Sequence, residues 1–140
     1  MARILVSGAS GFIGTPLISF LASQGAVIIQ LVRPSERKPP SSIVWDPEGG
    51  SARARDFEDF DAVIHLAGEP LTLARWSAKK QRKILESRKG GTMFLSHLLS
   101  KAISPPRLFL SASAVGYYGD RGDEILNEES EPGSGFLAHV

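Results

Sequence analysis

The chain has no cysteine, which excludes a disulfide framework, a thiolate nucleophile and the common cysteine-containing zinc sites. It has no apolar run near the roughly 18 residues of a membrane span. Its start, Met1-Ala2-Arg3-Ile4-Leu5-Val6-Ser7-Gly8, breaks too soon for a signal peptide. These absences suit a cytoplasmic protein that neither crosses nor enters a membrane. Net charge is nearly absent as well: at +1 the chain has no general field favouring nucleic acid, anionic lipid or acidic substrates. There is no internal repeat and no low-complexity tract. His65, His97 and His139 have no partners at metal-ligand spacing, so no metal is expected. What remains is ordinary for a globular domain: 140 residues, 42% hydrophobic and 22% charged, enough to bury a core without staples as one domain over residues 1–140.

The most informative stretch is Ser7-Gly8-Ala9-Ser10-Gly11-Phe12-Ile13-Gly14. It follows the apolar run Ile4-Leu5-Val6 and precedes Ile13, Leu17, Ile18 and Leu21 at helical spacing, so the glycines fall where a buried strand turns into a helix. Such a turn lets ligand oxygens touch bare backbone, and the helix N-terminus offers unpaired N–H groups to a pyrophosphate. Gly14-Thr15-Pro16-Leu17 lacks the lysine of a Walker A loop, which disfavours a kinase or ATPase and favours a dinucleotide.

Along the chain, strands and helices alternate. Residues 3 to 7 read as the first strand and 12 to 24 as the first helix, ended by Gly25. The β-branched run Val27 to Val32 reads as a second strand, Ile43-Val44-Trp45 as a short third, and Asp46 to Gly50 as a turn. Residues 51 to 61 hold at most a short helix near Asp56 to Phe60. Ala62 to Gly68 is a fourth strand. Ser77 is a plausible N-cap for a long helix to about Ala102, with Ile84, Leu85, Thr92, Leu95, Leu98, Leu99 and Ala102 as its buried stripe. Gly90-Gly91 interrupts it, which suggests either a kink or close approach to the sheet, a ligand or a partner helix. Pro105-Pro106 stops the helix, residues 107 to 112 form a fifth strand, and an acidic loop over 119 to 135 leads to a last helix opening at Phe136. The pattern predicts an α/β fold: a Rossmann-type doubly wound parallel sheet covered on both faces, in strand order 3-2-1-4-5.

Four motifs together resemble an extended short-chain dehydrogenase/reductase, in its atypical branch of nucleoside-diphosphate-sugar epimerases. They are Gly8-x-x-Gly11-x-x-Gly14, His65-Leu66-Ala67-Gly68, Arg75-Trp76 and Ser111-Ala112-Ser113-Ala114-Val115-Gly116-Tyr117-Tyr118-Gly119, in the family's order over residues 3 to 140. Members of that family are about twice this long, so the chain resembles an N-terminal portion. The resemblance implies that Gly8, Ser10, Gly11, Phe12, Ile13 and Gly14 hold the cofactor's pyrophosphate, while Leu66, Ala67 and Gly68 line its ribose and nicotinamide. An acidic residue at the end of strand two, roughly 20 residues past the glycines, would accept the ribose hydroxyls of NAD. Here Val32 stands there, followed by Arg33, with Arg37 and Lys38 close behind. A guanidinium pairs with a 2′-phosphate, so NADP is favoured over NAD.

Ser113 matches the family's hydroxyl that hydrogen-bonds a substrate carbonyl or alcohol. The family's acid/base pair, a tyrosine and a lysine four residues later, is missing: Phe136 or Leu137 stands at the tyrosine, and the lysine position is Val140 or beyond. Tyr117 or Tyr118 is a substitute acid, or else a packing residue or a wall for the nicotinamide. Two functions follow from the resemblance. One is an NADP-binding domain whose full-length form transfers hydride or epimerises a sugar nucleotide or other small carbonyl compound; the other is a non-catalytic NADP-binding regulator or scaffold. It also implies a homodimer through the long helix and the last one. Bland readings apply elsewhere: His65 as a core or cofactor-lining residue, and Lys79-Lys80-Gln81-Arg82-Lys83 with Arg88 and Lys89 as a solvated helix face that binds no nucleic acid. Glu69 and Arg75 lie in the loop after strand four, within reach of a substrate.

Overall fold

Leu5 and Val6 have no exposed surface, and strand β1 (Arg3–Ser7) that carries them is the centre of the sheet. In the computed structural model, which describes residues 1–35, 38–71 and 76–140, four more strands join it: β2 (Val27–Val32), β3 (Ser42–Val44), β4 (Ala62–His65) and β5 (Leu108–Ser111). All pairings are parallel, in the order β3-β2-β1-β4-β5. This is the Rossmann-type arrangement that the alternation of elements predicts. The expectations for Arg37 and Arg75 lie outside the described residues.

Strand alternation sorts the core into two layers. On one face Leu5, Leu31, Val63 and Trp45 pack under Leu95, Leu98 and Leu99 of helix α3 (Gly91–Ser100), with Phe57 and Phe60. Phe57 ends a 3₁₀ turn over Ala54–Phe57, a little upstream of the short helix that the sequence suggests. On the other face Ile4, Val6 and Ala9 pack with Ile28, Ile64, Ile18 and Leu21, the last two from helix α1 (Gly14–Ser23). Helix α1 ends in a Schellman arrangement: Gly25, at φ +83°, donates to Ala22 O, and Ala26 donates to Leu21 O.

Three expectations need correction. The first helix starts at Gly14, because the glycine turn occupies residues before it; Ile13 stands at the N-cap, 61% exposed, and is not part of the buried stripe. The long helix is not uniform. It runs as α2 (Ala78–Leu85), a π-helical turn (Glu86–Gly90) and α3, so the glycine pair marks a local widening within a continuous helix. Nor is the sheet covered throughout on both faces: on edge strand β5, Leu108 and Leu110 are 47% and 48% exposed. The loop over residues 119 to 135 carries no regular element, its start and end tied by the bond from Gly133 N–H to Tyr117 O. A 3₁₀ turn at Val115–Tyr118 precedes it and the short helix α4 (Phe136–His139) follows. Among the described residues no helix is long and apolar enough to cross a membrane.

Candidate functional site

The C-terminal ends of β1 and β4 meet at Ser7 and His65, which are register partners and both buried. Ser7 Oγ lies 2.6 Å from His65 Nδ1 and accepts the N–H groups of Leu66 and Ala67 at 3.2 and 3.3 Å. Two accepted bonds occupy the hydroxyl's lone pairs, so its proton goes to Nδ1 and the imidazole carries its own proton on Nε2. Burial pushes the His65 pKa down, which keeps the ring neutral. Its ring stands edge-on to Trp45, centroids 5.8 Å apart, and among the described residues Nε2 has no hydrogen-bond partner. His65 is therefore a structural residue of the core that fixes where two loops begin.

The first of those loops is the glycine turn. Gly8 adopts φ +68°, and a Cβ there would stand 2.8 Å from Ala67 N, so the two loops touch backbone to backbone. A Cβ at Gly14 would collide with Gly8 O, which lets α1 start directly against the turn. Among the described residues no side chain caps α1. Thr15 and Leu17 donate to Gly11 O and Ile13 O and Pro16 has no N–H, so of its first turn the Gly14 N–H is the one open to a ligand.

The second loop, after β4, is clipped to the long helix at Glu69. Glu69 N–H donates to Ser87 Oγ at 2.9 Å, Arg88 Nη1 donates to Glu69 O at 3.0 Å, and Lys80 Nζ donates to Glu69 Oε1 at 2.6 Å. The Lys80 bond, aided by the charges of Lys80, Lys83 and Arg33, holds the Glu69 carboxyl below the usual carboxylate range. Arg88 lies over Gly68, its Cζ 3.1 Å from where a Cβ would be. Ser87 and Arg88 belong to the π turn, so that turn presents both polar groups to one loop. Upstream, Ser77 caps α2 by accepting the Lys80 N–H at 3.3 Å, as its position in the sequence suggests.

Between these walls lies a crevice of about 560 Å³, within the range of roughly 300–1,000 Å³ typical of small-molecule sites. Gly8, Ser10, Gly11, Arg33, Leu66, Ala67 and Gly68 line it, which brings together seven of the ten residues expected to hold a cofactor. Phe12, Ile13 and Gly14 are not on its lining. Phe12 is 97% exposed beside the turn. The lining also includes residues that the sequence reading missed: Trp45, Pro47 and Glu48 after β3, and Arg82, Lys83, Glu86 and Ser87 on the long helix. Gly90 and Gly91 line it too, and the glycine pair was the available signal for that wall.

The three candidate catalytic residues stand apart from the crevice. Ser113 is exposed on the segment after β5, and Tyr117 and Tyr118 lie on the 3₁₀ turn beyond it, ring centroids 5.1 Å apart in a T shape. Phe136, near the position of the absent tyrosine, packs edge-on against Trp76 at 5.8 Å. Among the described residues there is no group of three side chains arranged to hold a metal ion.

Comparison with known proteins agrees with this fold. The profile of the NAD dependent epimerase/dehydratase family matches residues 4–138. The epimerase family protein ML0860 of Mycobacterium leprae is 34% identical over 99% of this chain and 44% of its own length. The epimerase family protein SDR39U1 of Bos taurus is 36% identical over 96% of this chain and 44% of its own. Among solved structures, human SDR39U1 (isoform 2) with NADPH is similar at TM-score 0.83 and 31% identity, covering 98% of this chain and 45% of that one. The nucleoside-diphosphate sugar epimerase of Corynebacterium glutamicum has TM-score 0.82 and 37% identity, covering 99% of this chain and 28% of that one. The chain thus spans less than half the length of these relatives.

Proposed function

The chain belongs to the NAD dependent epimerase/dehydratase family, and from that premise we propose that it binds NADP(H) in the crevice at the ends of β1, β2 and β4. The observation that carries the reading is the glycine turn. A Cβ at Gly8 would meet Ala67 N and one at Gly14 would meet Gly8 O, so strand, turn and helix pack backbone to backbone, and Gly8 and Gly11 line the crevice together with Arg33. The residues present fit a dinucleotide phosphate: Gly8, Ser10 and Gly11, with the N–H groups of Phe12, Ile13 and Gly14, would hold the pyrophosphate. Leu66, Ala67 and Gly68 would lie along the ribose and nicotinamide, and Arg33 would face the 2′-phosphate. The NADPH bound to the human relative supports the choice of phosphorylated cofactor.

When bound, the cofactor supplies or takes up a hydride. The substrate of the full-length protein would be a small carbonyl compound or a sugar nucleotide. In that reading Ser113 donates a hydrogen bond to the substrate oxygen, and Tyr117 or Tyr118 passes the proton. One observation favours a second reading, a non-catalytic NADP-binding regulator: Phe136, packed on Trp76, and Leu137, one of which stands where the family has its tyrosine, have no proton to transfer. Labelled NADPH incubated with the full-length protein and a panel of carbonyl compounds separates the two. Label appears in product if the protein is an enzyme, whereas intact binding without transfer favours the regulator.

Binding itself is tested by thermal unfolding. A ligand at 100 times its dissociation constant adds about 2.7 kcal/mol to stability. We expect a larger shift with NADPH than with NADH, lost in Arg33→Asp. Equal shifts with the two cofactors would refute the reading.

A further inference from the structure

Lys79-Lys80-Gln81-Arg82-Lys83 reads in sequence as one solvated face, yet the fold gives its cations different tasks. Lys80 is taken up by Glu69. Arg82 and Lys83, both about one turn ahead of the π turn, line the crevice from its helical wall. Arg33 lines the same crevice from the sheet. The alternation that turns Ile29 and Leu31 toward α3 brings Arg33, two residues on, to that side as well. Two elements far apart in the chain therefore bring cations to one volume. The Glu69 carboxyl registers this convergence, because Lys83 and Arg33 both lower its pKa.

The crevice also holds carboxylates, at Glu48, Glu69 and Glu86. Glu69 is neutralised from behind by Lys80 at 2.6 Å. Glu86 follows Arg82 by four residues on the same helix, the spacing of a weak intrahelical pair, and a doubly charged phosphate attracts a guanidinium more strongly. Counting Lys80, cations outnumber carboxylates around the opening. That excess suits the anionic phosphates of a dinucleotide, a 2′-phosphate among them.

We propose that Arg82 and Lys83 of α2 close on the cofactor's 2′-phosphate from the side opposite Arg33, so that the long helix, and not the end of β2 alone, distinguishes NADP from NAD. The pyrophosphate belongs to the glycine turn at the end of β1, and β2 lies beside β1 in the sheet. The adenosine end of the cofactor thus reaches Arg33 under α2. Both helix cations are exposed before the ligand arrives, so neither is committed to the core. This inference rests on NADP(H) being the ligand of the crevice.

The test is calorimetric binding of NADPH, NADH, 2′,5′-ADP and 5′-AMP to the full-length protein, as wild type and as the Arg82→Gln/Lys83→Gln double variant. The double variant should bind NADPH and 2′,5′-ADP about tenfold more weakly, a loss of about 1.4 kcal/mol, with NADH and 5′-AMP within about twofold of wild type. A NADPH affinity unchanged in the double variant, or an equal loss for NADH, overturns the role of α2. The wild-type ratio judges the underlying reading separately. Equal affinity for NADPH and NADH in the wild type overturns the NADP assignment, whereas a strong NADPH preference kept by the double variant overturns only the clamp.

Discussion

Ser7→Ala removes one oxygen from the place where the two site loops begin, and the structure allows its cost to be worked out. The Leu66 N–H keeps a second acceptor, Ser7 O at 3.2 Å, and loses little. The Ala67 N–H loses its 3.3 Å partner, and His65 Nδ1 loses a 2.6 Å donor at a site with no solvent exposure of Ser7. A buried group left without its partner costs about 1–3 kcal/mol, so the pair costs about 2–6 kcal/mol, a large fraction of a domain's stability. Equilibrium urea unfolding of the full-length protein reads this as a lower midpoint at unchanged slope. Ser7→Thr, which keeps the hydroxyl, should recover part of it. A loss under about 0.5 kcal/mol for Ser7→Ala, typical of a neutral surface change, would refute the network. The same variant should weaken NADPH binding, because Ala67 sets the path of the backbone that lines the crevice.

Acid supplies a second test of that network. Burial lowers the folded pKa of His65 from 6.5. Its stabilising contribution is thus complete above pH 6.5, and as pH falls the unfolded chain takes up a proton that the folded one refuses. Stability should drop by at most about 1.4 kcal/mol per pH unit from this group, and that slope should vanish in His65→Gln. Gly8→Ala forces a left-handed backbone costing about 1–2 kcal/mol and places a methyl against Ala67 N; we expect loss of NADPH binding and a lower melting temperature, and unchanged melting would refute it. Gly90→Ala is expected to act in opposite directions on the two readouts. Gly90 has helical φ −63° and ψ −47°, and the nearest atom to its Cβ position is Glu86 Oε2 at 3.8 Å. Stability should therefore rise by about 0.4–1 kcal/mol while the methyl, inside the crevice, lowers NADPH affinity. An unaltered affinity would place the cofactor elsewhere.

The strand order and the glycine turn were legible in the sequence because both rest on local patterns. Continuous apolar runs identify the strands, and alternation with helices dictates parallel crossovers. Glycines at three-residue spacing have a backbone reason that Gly8 and Gly14 bear out: one has positive φ and the other has no room for a Cβ. What escaped the sequence was what depends on where a helix crosses the sheet. Arg82 and Lys83 carry no local mark that separates them from Lys79, which is solvated. Only the path of the long helix from Glu69 to Trp45 makes them part of a crevice wall. Trp45 illustrates the same limit. Its letter suggests a strand residue, and it is instead a buried platform between His65 and Phe94, just past the end of β3.

The π turn explains why one helix can serve both core and crevice. Helix α3 must lie flat on the sheet, since Leu95, Leu98 and Leu99 bury against Leu5, Leu31 and Val63. At its start Gly91 passes Trp45 and His65 with a Cβ position 3.8 and 4.0 Å from their rings, so the helix approaches the sheet closely there. Helix α2 must meanwhile reach Glu69 with Lys80, Ser87 and Arg88. A regular helix advances about 100° per residue, which ties the face of α2 rigidly to the face of α3. The wider π turn, which ends at Gly90, relaxes that tie. The apolar stripe can then stay on the sheet while a polar edge faces the loop after β4.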